Sequence, residues 1–173
     1  MNIILIGFAS SGKTTAAGAI CSRTGRLHID LDRTIEGRYE RKYGRRASVR
    51  EIFTDTGMEG WSELENDALR SLSNMRNSVL STGGRTPLNE ENRVILKSLG
   101  TIVYLKCEVG AVLQRMKRKG IPASIGTTPE EVEAEWTVRD PIYAALADMV
   151  IENEKLTPAD TARAILERMP MPT

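Results

Sequence analysis

The sequence predicts an α/β fold, a five-stranded parallel sheet flanked by helices, and three observations predict it. Short runs rich in Val, Ile and Leu alternate along the chain with amphipathic helical stretches. Those runs lack strict polar alternation, the pattern of strands buried on both faces. Strand–helix alternation in turn demands right-handed crossovers that lay helices on both sides of the sheet. At 173 residues the chain suits one domain over 1–173 and can bury a core without staples.

The elements follow in order. "NIILI" (2–6) reads as the first strand and 13–24 as the first helix. "LHID" (27–30) is the second strand, followed by helical patterns over 32–43 and 48–76. Within the latter, Trp61, Leu64, Ala68, Leu72 and Met75 recur at three- and four-residue spacing and mark one buried face. "SVLST" (78–82) and "TIVYLK" (101–106) are strands, each followed by a helix, over 89–99 and 109–119. "MKRKGIPASIGTTPEE" (116–131) is polar and punctuated by Gly and Pro, which suits a mobile flap. A helix over 129–147 places Trp136 and Tyr143 on one core-facing side. Pro141 should bend or start a helical stretch there, with Asp140 as a cap and Arg139 presented from the junction. "DMVIE" (148–152) is the fifth strand, and a last helix begins with Thr157 as N-cap and Pro158 at the first position.

Composition excludes several classes. Twenty-four basic against 23 acidic side chains leave a formal charge of +1, so no basic field points to nucleic acid. Cys21 and Cys107 fit neither a disulfide framework nor zinc spacing and read as buried, reduced thiols in a cytoplasmic setting. No segment is long and apolar enough to cross a bilayer, and a strand starting at residue 2 is expected to leave no room for a signal peptide. His28, inside the second strand, reads as a packed or edge residue.

"GFASSGKT", Gly7 to Thr14, fits G-x-x-x-x-G-K-[ST] at every fixed position, between a strand and a helix. Gly7 and Gly12 permit the backbone angles that turn successive N–H groups inward. Those donors and the following helix N-terminus hold anionic oxygens. Ala9, Ser10, Ser11, Gly12 and Thr15 then belong to an ATP site in which Lys13 reaches the β- and γ-phosphates and Thr14 ligates Mg²⁺. No acid closes the third or fourth strand, as a Walker-B acid would, and no Asn-Lys-x-Asp string for guanine occurs. The acids stand instead at the end of the second strand, Asp30 and Asp32. From there one carboxylate can orient Mg²⁺ through water, and the other can bind an acceptor hydroxyl and favour loss of its proton. Serving only as helix caps is the alternative.

With these pieces in order, the chain resembles the shikimate kinase family over nearly its whole length. The resemblance rests on the phosphate loop, Asp30, Asp32, Ile35 and Glu36, "SVREIF" (48–53), and a Gly57, Trp61, Glu65 frame. "TGG" (82–84), Asn92 and Arg93, and "RDPIYAALAD" (139–148) complete it. It implies a P-loop kinase fold with an acceptor-binding insertion at about 33–62 and a lid at about 116–128. It implies phosphoryl transfer from ATP to a hydroxyl, nominally of shikimate, in aromatic amino acid biosynthesis. Asp30 would assist Mg²⁺, Asp32 would hold the acceptor hydroxyls, and Gly83 and Gly84 would touch the acceptor through backbone. Arg139 would pair with the acceptor's carboxylate, and Arg115 would lie beside adenine. The expected partner is a small hydroxylated molecule, and the expected state a monomer.

Departures fall on the acceptor side. The family's aromatic-Arg pair reads Trp61-Ser62, the Glu after its Gly reads Met58, and its lid Arg-Pro reads Ile121-Pro122. The third glycine of Gly-Gly-Gly reads Arg85, and one loop glycine reads Ser10. Losing one partner of a desolvated charge pair costs about 2–5 kcal/mol. Shikimate turnover is therefore expected to be weak or absent while another hydroxylated metabolite works, with Arg85 supplying the guanidinium that Ser62 lacks, or else facing solvent or pairing with Glu90 or Glu91. Two alternatives remain: a kinase for a nucleotide or sugar acid, given Arg33, Arg38, Arg41, Arg45 and Arg46, or a nucleotide-binding protein without transfer.

Overall fold

The computed structural model describes residues 1–121, 125–126 and 128–169, with only the backbone of Lys119. Five strands form one sheet: β1 Ile3–Ile6, β2 Leu27–Asp30, β3 Ser78–Ser81, β4 Thr101–Lys106 and β5 Met149–Glu152, in the order β2-β3-β1-β4-β5. Every pairing is parallel, with Ile3 against Val79 on one side and against Thr101 on the other.

The helices are α1 Lys13–Thr24, α2 Leu31–Tyr43, α3 Val49–Ser71, α4 Glu90–Leu99, α5 Val109–Lys119, α6 Pro129–Leu146 and α7 Pro158–Arg168. Strand β1 shows why the sheet needs both layers. Ile3 and Leu5 pack on one side with Ala17 and Ile20 of α1 and Ile165 of α7, while Ile4 and Ile6 pack on the other with Ile35, Leu64 and Tyr143. All four β1 side chains are fully buried. Burial on both faces fails at the margin, where Leu27 of edge strand β2 is 68% exposed because no further element covers it.

Two expected helices differ in detail. The 48–76 pattern is two helical pieces, broken at Gly57, whose φ of 66° and ψ of −170° suit glycine. Met75 lies beyond the helix yet remains in the core. Asp140 caps nothing: α6 continues through Pro141, and Asp140 instead accepts a hydrogen bond from the Tyr104 hydroxyl at 2.6 Å. A short 3₁₀ turn, Thr86–Leu88, was not legible as a separate element. Thr157 does cap α7, accepting from the Asp160 N–H. Cys107 is buried and Cys21 half-buried, both free thiols.

Candidate active site

The loop between β1 and α1 owes its shape to close approaches. A Cβ on Gly7, at φ 145°, would fall 2.7 Å from the Leu105 carbonyl oxygen. Gly12 caps α1 with φ 98°. Ser10 takes φ 62°, the left-handed region, so a serine occupies a conformation that glycine adopts more readily. Lys13 is buried, and its Nζ donates to the Gly7 and Phe8 carbonyls at 2.8 Å each. Burial pulls its pKa down to about 8, against the opposing pull of Asp32 and Asp30. The Ser11 hydroxyl is fully buried with no hydrogen-bond partner. An oxyanion in the loop fits that orphaned group. Thr14 and Thr15 are exposed at the start of α1.

The two acids close β2 as expected, and in one respect they are also caps. Asp30 Oδ1 accepts from the Arg33 N–H, while Oδ2 accepts from the Ser81 hydroxyl at 3.1 Å. His28 Nε2 meets that same hydroxyl at 3.0 Å, so it is an edge residue tied to the acids rather than an inert one. Asp32 lies in the first turn of α2. Burial, reinforced by Asp30, pushes its pKa up to about 6, although Lys13 opposes the rise.

The segment after β3 connects the acids to the loop. A Cβ on Gly83 would lie 3.3 Å from Asp32 Oδ1, and one on Gly84 would lie 3.2 Å from the Ala9 nitrogen. Glu65, 4% exposed, accepts from Thr86 Oγ1 at 2.7 Å and from Asn92 Nδ2 at 2.8 Å. Burial raises its pKa to about 7 despite those bonds. Arg85 Nη2 lies 3.7 Å from the Met58 sulfur, and its charge is felt at Glu65 and Tyr143. Glu90 pairs with Arg93 and Glu91 with Arg70. Arg139 is buried over the Phe8 ring, 5.3 Å from its centroid, and Tyr143 donates to the Gly84 carbonyl at 2.5 Å. The structure thus brings Lys13, Asp32, Gly83, Gly84, Arg85 and Arg139 around one end of the sheet, beyond the carboxyl ends of β1, β2 and β3.

On the other side of the loop, Arg115 Nη1 donates to the Ser10 carbonyl at 3.0 Å, and its Nη2 reaches the Asn153 and Glu154 carbonyls. A cavity of about 290 Å³ lies there, bounded by Thr15, Arg115, Arg118, Asn153, Leu156 and Pro158. Asn153 was invisible to motif reading. It donates to the Ser11 carbonyl at 2.7 Å, and only its position after β5 could have flagged it. Glu65 stood in the sequence frame without a role; the fold buries it and bonds it to Thr86 and Asn92. Trp61 is a core residue, edge-on to Phe53. Trp136 and Tyr143 also pack in the main core, and Trp136 donates to the Cys107 carbonyl. Of the expected lid, Pro122 and residues 123, 124 and 127 lie outside the described residues, while Ile121 and Ile125 pack against the core. Among the described residues no helix is long and apolar enough to cross a membrane.

Comparison with known proteins agrees with this geometry. The family model for shikimate kinase matches residues 9–170. A shikimate kinase of Chromobacterium violaceum is 35% identical over 87% of this chain and 80% of its own length. One from Nitrosospira multiformis is 32% identical over 97% of this chain and 84% of its own. The structure of Acinetobacter baumannii shikimate kinase in complex with shikimate superposes with a TM-score of 0.85 at 32% identity, covering 96% of this chain and 90% of that one. A match of such extent, on a fold that sets a phosphate loop beside paired acids, makes this chain a member of the shikimate kinase family, ATP-using phosphotransferases that act on a hydroxyl group.

Proposed function

We propose that this protein transfers the γ-phosphoryl group of ATP to a hydroxyl of shikimate, with Mg²⁺ bound alongside the nucleotide. The observation that carries the reading is geometric: Asp32 lies against Gly83, and the adjoining Gly84 lies against the loop at Ala9, so the acid stands beside the loop that Lys13 closes. Loop N–H groups and Lys13 hold the phosphates, and the cavity beside Arg115 takes the adenine. Asp32, over Gly83, accepts a hydrogen bond from the acceptor hydroxyl and then its proton as the oxygen bonds to phosphorus. A carboxyl group with pKa about 6 is ionised at pH 7 yet basic enough to take that proton. Lys13 offsets charge on the transferring group.

Thr14 and Asp30 would hold the magnesium, which would supply charge neutralisation during phosphoryl transfer. Arg139 and Arg85 are the anchors for the acceptor's carboxylate. The same reading places the chain in the cytoplasm as a monomeric single domain over 1–173, with no nucleic-acid partner.

The test is ADP release by purified protein with MgATP, with and without shikimate, together with identification of the phosphorylated product. Shikimate-dependent ADP release is expected. Release no faster than background, despite tight ATP binding by calorimetry, overturns the acceptor assignment. Absence of ATP binding overturns the whole reading.

A further inference from the structure

The acceptor's arginine already has a carboxylate. Glu135 precedes Arg139 by one turn of α6, the spacing that brings two side chains together on a helix. Its Oε2 accepts from Arg139 Nε at 2.7 Å and from Nη2 as well, so a single oxygen spans one whole edge of the guanidinium. The pairing is lopsided. Arg139 is 1% exposed, lies over Phe8 and bonds to Tyr143, whose hydroxyl is fastened to Gly84. The Glu135 side chain is 37% exposed. The arginine is therefore fixed in place, and the acid stands at the solvent edge, where rotation returns it to water.

Building on the reading of a carboxylated acceptor, we infer that Glu135 is a specificity-determining residue: it occupies the Arg139 guanidinium in the free protein, and the acceptor's carboxylate must displace it to bind there. Two consequences follow from charge and geometry. The pair is neutral as a unit, so it exerts little pull on an approaching anion. Binding also becomes an exchange, in which the acceptor gains a charged hydrogen-bonded contact as the protein loses a similar one. With Ser62 offering no charge at the family's second arginine position, Arg85 alone of the two proposed anchors separates an acid from its uncharged analogue, and this chain discriminates weakly between them.

The experiment compares shikimate with its methyl ester in the wild type and in Glu135→Gln. The amide keeps the helix and the shape but removes the competing charge. The KM for shikimate is expected to fall roughly ten- to a hundredfold, the range set by one charged hydrogen-bonded contact. The KM for the ester should change less than about threefold on the same scale, and the shift should appear in KM rather than kcat. An unchanged shikimate KM, or equal shifts for acid and ester, overturns the inference. If Glu135→Gln fails to fold, wild-type calorimetry decides instead. A shikimate-to-ester affinity ratio within about tenfold supports the inference, and a ratio above it overturns it. Should neither acid nor ester be phosphorylated by wild type or variant, the kinase reading itself fails, and this inference with it. If both are phosphorylated with unaltered discrimination, only the role of Glu135 fails.

Discussion

In the proposed reading, the nucleotide end of the cleft offers an anion backbone N–H groups, whose direction is set by Gly7, Gly12 and the start of α1. The acceptor end offers side chains instead: Arg139 with Glu135, Arg85 near Met58, and Glu65 bonded to Thr86 and Asn92. The first kind of site needs only particular torsions, so most side chains in the loop are free to vary. The second depends on pairings among four separate segments, and substitutions at the charged positions change the charge balance. Departures from the family pattern can accumulate at the acceptor end while the loop stays whole.

The sharpest test of that contrast falls where the ends meet. Asp32→Asn should lower kcat by about 10²–10⁴-fold, the range for loss of a general base, with ATP affinity nearly unchanged. A loss of ATP binding instead would show that Asp32 serves the nucleotide end.

The pH profile comes next. Because the pKa of Asp32 is raised to about 6, its base form is lost as pH falls through that value. kcat/KM should then drop roughly tenfold per pH unit below about 6. Glu65 also gains its proton near pH 7, and Glu65→Gln should leave the limb near pH 6 in place. A limb that persists in the residual activity of Asp32→Asn would reassign it.

Arg85→Ala probes the acceptor end alone. It should raise the KM for shikimate roughly three- to tenfold, with the KM for ATP unchanged. No change in either would take Arg85 out of the pocket.

The smallest effect is expected within the loop. Ser10→Gly relieves a left-handed serine at φ 62° but adds freedom to the unfolded chain. These terms nearly cancel, so stability should change by less than about 1 kcal/mol, as read from thermal melting. A large loss would mean that the Ser10 side chain matters as well as its backbone.

Much of this molecule was legible beforehand because it is written locally. The strands announced themselves as apolar runs, the loop as a spaced motif, and the Thr157 cap as a residue type before Pro158. Asp32 could be singled out because it follows a strand at the ligand-binding end of a parallel sheet. Where local reading failed, a contact distant in sequence had decided the matter. Asp140 looked like a cap, but the Tyr104 hydroxyl claims its carboxylate from a neighbouring strand. Glu65 looked like part of a frame, and only Thr86 and Asn92, folded over it, make it a buried acid.

By itself, the order of residues determined the parallel sheet, the phosphate loop and the acids at the end of β2, since torsional preference and hydrophobic period act over a few neighbours. Only the tertiary structure decided the charge state of the pocket. Glu135 and Arg139 are close in sequence, but nothing local says that the arginine is sealed over Phe8 while the acid keeps its water. Burial and electrostatic pairing depend on everything that surrounds a group, and those surroundings exist only once the chain has folded.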